Sequence, residues 1–183
     1  MSSLLEPARA WVAEVHPHAR HLLRTEHWAL QIDPGARDEL RLAAVLHDIE
    51  RAFPDPAAPW VSWRDWRSPE YNRWHQDRCA GIASTWLSEQ GAEPGPVAAL
   101  IAVHEEGGWP EADILQAADS LSFLETMVPL VLRWPRESAE AKLADSVGRM
   151  APGMARAREL AVPMLADAQR ALEQASAGEG AAR

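Results

Sequence analysis

The sequence predicts an all-α, single-domain helical bundle, and three observations predict it. Apolar residues recur at intervals of three and four through most of the chain. No segment shows the strict alternation of a half-buried strand. The 183 residues suit one domain whose single core buries most of the apolar surface.

Leu4, Leu5, Ala8, Trp11, Val12 and Val15 form the apolar stripe of a first helix, interrupted by Pro17. Arg20 to Ile32 reads as a second helix, ended before Pro34. Ala36 to Ile49 is a third, with Leu40, Ala43, Ala44 and Leu46 on its buried side. Pro54, Pro56 and Pro59 then mark 53–68 as a loop. Ser68-Pro69 starts the next helix, because serine accepts from free amides at a helix N-terminus and proline suits the first position. That helix is expected to stop at Gly91, and the next, from Pro96 to Glu105, to close at Gly107-Gly108. Glu111 to Trp134 is long and apolar with a kink at Pro129. Helices over 137–150 and 153–175 complete the domain, which spans 1–176. Residues 177–183 read as a flexible tail.

Composition excludes some functions. A net charge of −9 argues against a nucleic-acid polymer as partner, because phosphate neutralisation needs a basic surface. It does not exclude a small phosphate, since a local cation can dominate a pocket. The single cysteine, Cys79, cannot form an intrachain disulfide, and a reducing cytoplasm is the expected location. No basic-then-apolar leader and no run of about 18 apolar residues is seen, so neither a signal peptide nor a membrane span is expected.

The chemistry concentrates on histidine and aspartate. His47-Asp48 directly follows the apolar LRLAAVL. His21 lies 26 residues before His47, His75 lies 28 after it, His104 lies 29 after His75, and Asp119 lies 15 after His104. Each of these four falls on a different predicted helix. Imidazole and carboxylate together suit divalent Mn, Fe, Co or Zn. Six such ligands are too many for one catalytic ion with open positions and about right for two ions sharing a carboxylate. Asp119, between Ala117-Ala118 and Leu121, would be costly there without a counter-charge.

These residues resemble the HD superfamily of metal-dependent phosphohydrolases. His21 followed at three by Arg24 is similar to its first motif, and LAAVLHDIE to its second. His75 and His104 match the added histidines of the two-metal branch, and HEEGGWPEADILQAAD its late segment. The stretch through DSLSFLE is also similar to a less characterised HD-related family of unknown function. The resemblance covers 21–125, over half of the chain. The spacing from His21 to His47 is short for the family. His27 is a rival first ligand that lacks the arginine at three. Cys79, one turn after His75, is a rival for its place.

The resemblance implies an HD-type bundle holding two divalent transition ions per chain, Mn or Fe. His21, His47, Asp48 and Asp119 would hold one ion, and Asp48 would bridge to a second held by His75 and His104. It implies hydrolysis of a small phosphate ester or anhydride, a nucleotide being one option. Asp48 and Glu50 are the expected catalytic residues, Glu50 orienting a water or a ligand histidine. Arg24, Arg51 and Arg78 are candidates to clamp phosphate, with ion pairs as the alternative. Two other functions share the ligand set: a di-iron oxygenase acting on a small organic substrate, and a non-catalytic metal-binding protein. Beyond a small phosphate substrate, further copies of the chain are the one partner left open. Trp60, Trp63 and Trp66 read as staples holding the proline-rich loop to the bundle, with a substrate lid as the alternative. His16 and His18, flanking Pro17, are expected on the surface, and Cys79 as a small buried residue.

Overall fold

The apolar spacing becomes helix almost wherever it was expected. The structure, a computed structural model, describes residues 4–59 and 68–181, with side chains described as far as Ser176. Trp60, Trp63 and Trp66 lie outside the described residues. Among those described there are nine α-helices and no strand: α1 (Leu5–Val15), α2 (Ala19–Ile32), α3 (Asp38–Leu46), α4 (Pro69–Glu89), α5 (Gly95–Ile101), α6 (Pro110–Thr126), α7 (Val128–Val131), α8 (Arg136–Gly148) and α9 (Ala155–Ala181). No helix among them is long and apolar enough to cross a membrane.

Local chemistry sets several of the boundaries. Ser68 Oγ accepts from the Tyr71 amide at 3.3 Å, with Pro69 at the first position of α4. At the other end Gly91 takes φ +74°, a left-handed exit that side chains disfavour. Pro129 splits the expected long helix into α6 and α7. Three expected ends differ. The helix expected to reach Glu105 stops at Ile101, and His104 sits in the turn that follows. The regular α3 stops at Leu46, and the chain turns through Asp48 (φ −109°, ψ 12°) into a 3-10 turn over Ile49–Ala52. The last helix continues to Ala181, past the end read from its composition.

Two apolar cores result. Leu5, Ala8 and Val12 of α1, Leu22 of α2, Leu40 and Leu42–Leu46 of α3, Leu87 of α4 and Ile101 of α5 form the first. Leu121 and Leu124 of α6, Val131 of α7, Leu143 of α8, and Ala161 and Leu172 of α9 form the second. α6 serves both, sending Ala112 and Leu115 to the first and Ala117 and Leu121 to the second. α2 packs along α6 and against α3. His21 and Asp119 therefore sit near the seam between the cores, where polar side chains on α2, α3 and α6 can converge without displacing apolar packing.

Candidate metal centre

Five segments deliver the six expected side chains to one place. α2 carries His21, the exit of α3 carries His47 and Asp48, α4 carries His75, the turn after α5 carries His104, and α6 carries Asp119. His21 Nε2 lies 3.1 Å from Asp119 Oδ1 and 4.0 Å from Asp48 Oδ2. His47 Nε2 lies 3.4 Å from Asp119 Oδ1. His75 Nε2 lies 2.8 Å from Asp48 Oδ1. The rings of His21, His47, His104 and His75 follow one another at centroid separations of 5.4, 5.2 and 5.1 Å.

Two groups have ligand atoms all within 4.8 Å of one another: His21, His47 and Asp48, and Asp48, His75 and His104. Asp48 belongs to both, with Oδ2 toward His21 and Oδ1 against His75. These buried clusters could each hold a metal ion.

The protein fixes the imidazole protons. His47 Nδ1 lies 2.9 Å from the Ala44 carbonyl, and His104 Nδ1 lies 2.7 Å from that of Ile101. A carbonyl only accepts, so each Nδ1 carries hydrogen and each neutral ring turns a lone pair at Nε2 toward the centre. Ser122 donates its hydroxyl to the His21 carbonyl at 2.6 Å, leaving its oxygen to accept from His21 Nδ1 at 3.0 Å. His75 Nδ1 lies 2.9 Å from Glu50 Oε1. All four histidines thus spend Nδ1 on the protein, as metal-ligating histidines do.

Nε2 of His104 is buried without a hydrogen-bond partner among the described residues, and the buried Nε2 atoms of His47 and His75 face only carboxylate oxygens, at 3.4 and 2.8 Å. Such atoms are rare because each costs about 1–3 kcal/mol. At His75 a neutral ring would set Nε2 acceptor to acceptor against Asp48 Oδ1, an arrangement that needs a proton or a cation between them. Without an ion a proton serves. Burial works against it, but Cys79, Asp48 and Glu50 raise the His75 pKa well above the usual value. Burial instead pushes His104 down to about 4, so it is neutral near pH 7. Both aspartates are held ionised against their burial, Asp48 by His75, His47 and Arg51, and Asp119 by Arg149, His21 and His47. Carboxylates, neutral imidazole and unpaired Nε2 atoms fit divalent transition ions.

The other expected residues divide. Glu50 is buried behind His75 and orients it. Cys79 Sγ lies 3.8 Å from His75 Nδ1, on the side away from Nε2, and burial pushes its thiol pKa up. Cys79 is therefore behind the His75 ring, and His75 is the residue in the cluster. Arg24 Nε donates to Glu125 at 2.8 Å, and Arg78 pairs with Asp55 at 3.0 Å. Of the three arginines, Arg51 is the one among the described residues lining the pocket over the centre.

That pocket, of about 380 Å3, is also lined by Tyr71, Glu105, Lys142 and Arg149, which sequence reasoning missed. Arg149, at the end of α8, bonds Asp119 and Glu105 and donates from Nε to Ser120 at 3.1 Å. It supplies the counter-charge that Asp119 required and, against burial, holds Glu105 down to about 2. Tyr71 Oη has no hydrogen-bond partner among the described residues. His16 was expected on the surface and is buried. Its Nδ1 accepts from the His18 amide at 3.0 Å, so its Nε2–H donates to the Asp48 carbonyl at 3.1 Å. The turn at Pro17 creates that bond, and no spacing rule signals it.

The fold and centre define an all-helical protein with paired His/Asp clusters suited to metal. No family model, no curated protein and no solved structure matches the chain.

Proposed function

We propose that this protein is a dinuclear metal-dependent phosphohydrolase of the HD type, acting on a small phosphate ester or anhydride. The observation that carries the reading is that two three-residue clusters meet at the two oxygens of Asp48. The ordered set from His21 to Asp119 that resembles the two-metal HD branch is the set drawn together here. Bound, a pair of divalent ions such as Mn or Fe supplies an acidified water and neutralises phosphoryl charge.

The chain's own groups prepare the rest. His47 and His104, with Nδ1 tied to backbone carbonyls, offer Nε2 without needing to reorient. Glu50 fixes His75, and His16 fixes the backbone of Asp48. Arg149 holds Oδ2 of Asp119, leaving Oδ1 between His21 and His47. Arg51 and Lys142 place cations on a pocket wall that also carries Asp48, Glu105 and Asp119, and Arg149 is spent on the last two, so a bound anion would rely on the ions for most of its counter-charge.

The test is phosphate release by Mn-loaded protein without oxygen, from nucleotides and simple phosphate esters. Release is expected from at least one, and should vanish in His47→Ala and Asp119→Ala while helical circular dichroism persists. No release with any metal, together with iron-dependent oxygen consumption, would place the protein among oxygenases instead. Inertness in both assays despite full metal loading would leave a non-catalytic metal protein.

A further inference from the structure

Phe123, Met127, Leu130 and Trp134 follow one another at intervals of four, three and four residues. That is one stripe along a helical path, and it runs from α6 across the Pro129 break and past α7. Such a stripe ordinarily faces a core. Phe123 and Trp134 do pack against the second core, yet all four residues also line the pocket that reaches Asp48 and Asp119, and Leu130 is 39% exposed. Of the polar lining, Arg51, Tyr71 and Asn72 come from other segments, and Asp119 stands one turn before Phe123 on α6. The cavity thus combines ionic groups at the metal centre with an apolar flank.

We propose that the substrate is a phosphomonoester of an uncharged apolar alcohol, aryl or short-chain alkyl, whose organic group lies against the Phe123–Trp134 stripe. The proposal rests on the phosphohydrolase reading for its phosphate head. The stripe argues for the apolar group independently. A sugar placed there would leave its hydroxyls facing carbon, without the partners they have in water. An alkyl or aryl group gains by leaving water. A volume of about 380 Å3 suits a small ligand. Hydrolysis breaks the ester P–O bond and forms one to the water oxygen. The departing alkoxide takes up a proton to leave as the neutral alcohol, and no redox partner is involved.

The experiment is calorimetric binding of methyl-, ethyl-, propyl-, butyl- and phenylphosphonate to Mn-loaded full-length protein, with the matching alkyl carboxylates in parallel. Affinity should rise about four-fold for each added methylene, the factor expected for moving one from water to an apolar wall. Leu130→Asn and Met127→Gln, both neutral changes on the stripe, should flatten the series, with a loss of affinity that grows with the length of the alkyl group. A flat wild-type series, or one that neither variant flattens, overturns the proposal. If phosphonates fail to bind but the carboxylate series climbs and flattens in the variants, the phosphate reading fails and the apolar site stands. If neither series binds, both fall.

Discussion

One helix, α2, carries two buried charge clusters of opposite design. Glu26 is buried, and its two oxygens accept from Arg9 Nε at 2.7 Å and from Arg41 Nε at 3.0 Å and Nη2 at 2.9 Å. Fixed cations within the protein complete that cluster. Five residues earlier, His21 enters a centre where two aspartates and four histidines meet, where Nε2 of His47 and His75 face only carboxylate oxygens and Nε2 of His104 has no hydrogen-bond partner among the described residues. The first cluster ties α1, α2 and α3 together. The second has every orienting bond made on the outside and leaves its inside unfinished. Burial alone does not mark a functional site. Orientation without satisfaction does, because folding gains nothing from it.

The largest expected contrast is with metal. Excess Mn should stabilise the protein by about 4 kcal/mol for each occupied site at a thousandfold excess over its Kd, roughly 10 °C in Tm per site, and a chelator should remove that gain. Glu26→Ala should keep the full metal-dependent increment. Identical melting with and without chelator would mean that the histidines do not act as one centre. The next contrast is the reverse. In chelator, Glu26→Ala should cost about 3 kcal/mol, the lower end for a broken buried pair because both arginines can turn toward water. Its Mn content should equal that of wild type, and loss of metal would erase the distinction between the clusters.

Acid separates the two regions further. His104 titrates near 4 in the folded chain and near 6.5 unfolded. As pH falls from 7 to 5 the unfolded state takes up a proton that the folded state refuses, so stability is lost. His47 and His75 have raised values and work the opposite way over that range, so the comparison is with His104→Gln. Relative to that variant, metal-free wild type should lose about 2 kcal/mol between pH 7 and 5. Equal pH dependence in denaturant melts would contradict the burial of a neutral His104.

The smallest expected effect is at His16. Removing its bond to the Asp48 carbonyl should cost about 1 kcal/mol in the metal-free protein and roughly ten-fold in Mn affinity. Competition against a chelating dye reads the second number. Unchanged affinity would make His16 a local turn residue only.

Much of the fold was legible because helical periodicity needs no knowledge of partners. Leu40, Ala43, Ala44 and Leu46 are buried as read, and Ser68-Pro69 and Gly91 bound α4 by their own backbone chemistry. The His/Asp set was legible because His47-Asp48 leaves an apolar helix and the other four lie on separate segments. The cations were not. Arg24 and Arg78 follow histidine and precede cysteine suggestively, yet Glu125 and Asp55 take them. Arg149 stands 30 residues beyond Asp119 with no periodic relation to it. Only the packing of α8 and α9 against α6 brings it in. Likewise, the charge of Asp119 demanded a partner, but nothing local said which.

The proposed bridging role of Asp48 is most directly tested by elemental analysis of Mn-reconstituted protein after removal of loose metal. Wild type should hold close to two ions per chain, His75→Gln close to one, and Asp48→Ala close to none, since its two oxygens serve both clusters. Asp48→Ala retaining as much Mn as wild type, or a wild type holding one ion with His75→Gln unchanged, would contradict a shared carboxylate at the centre.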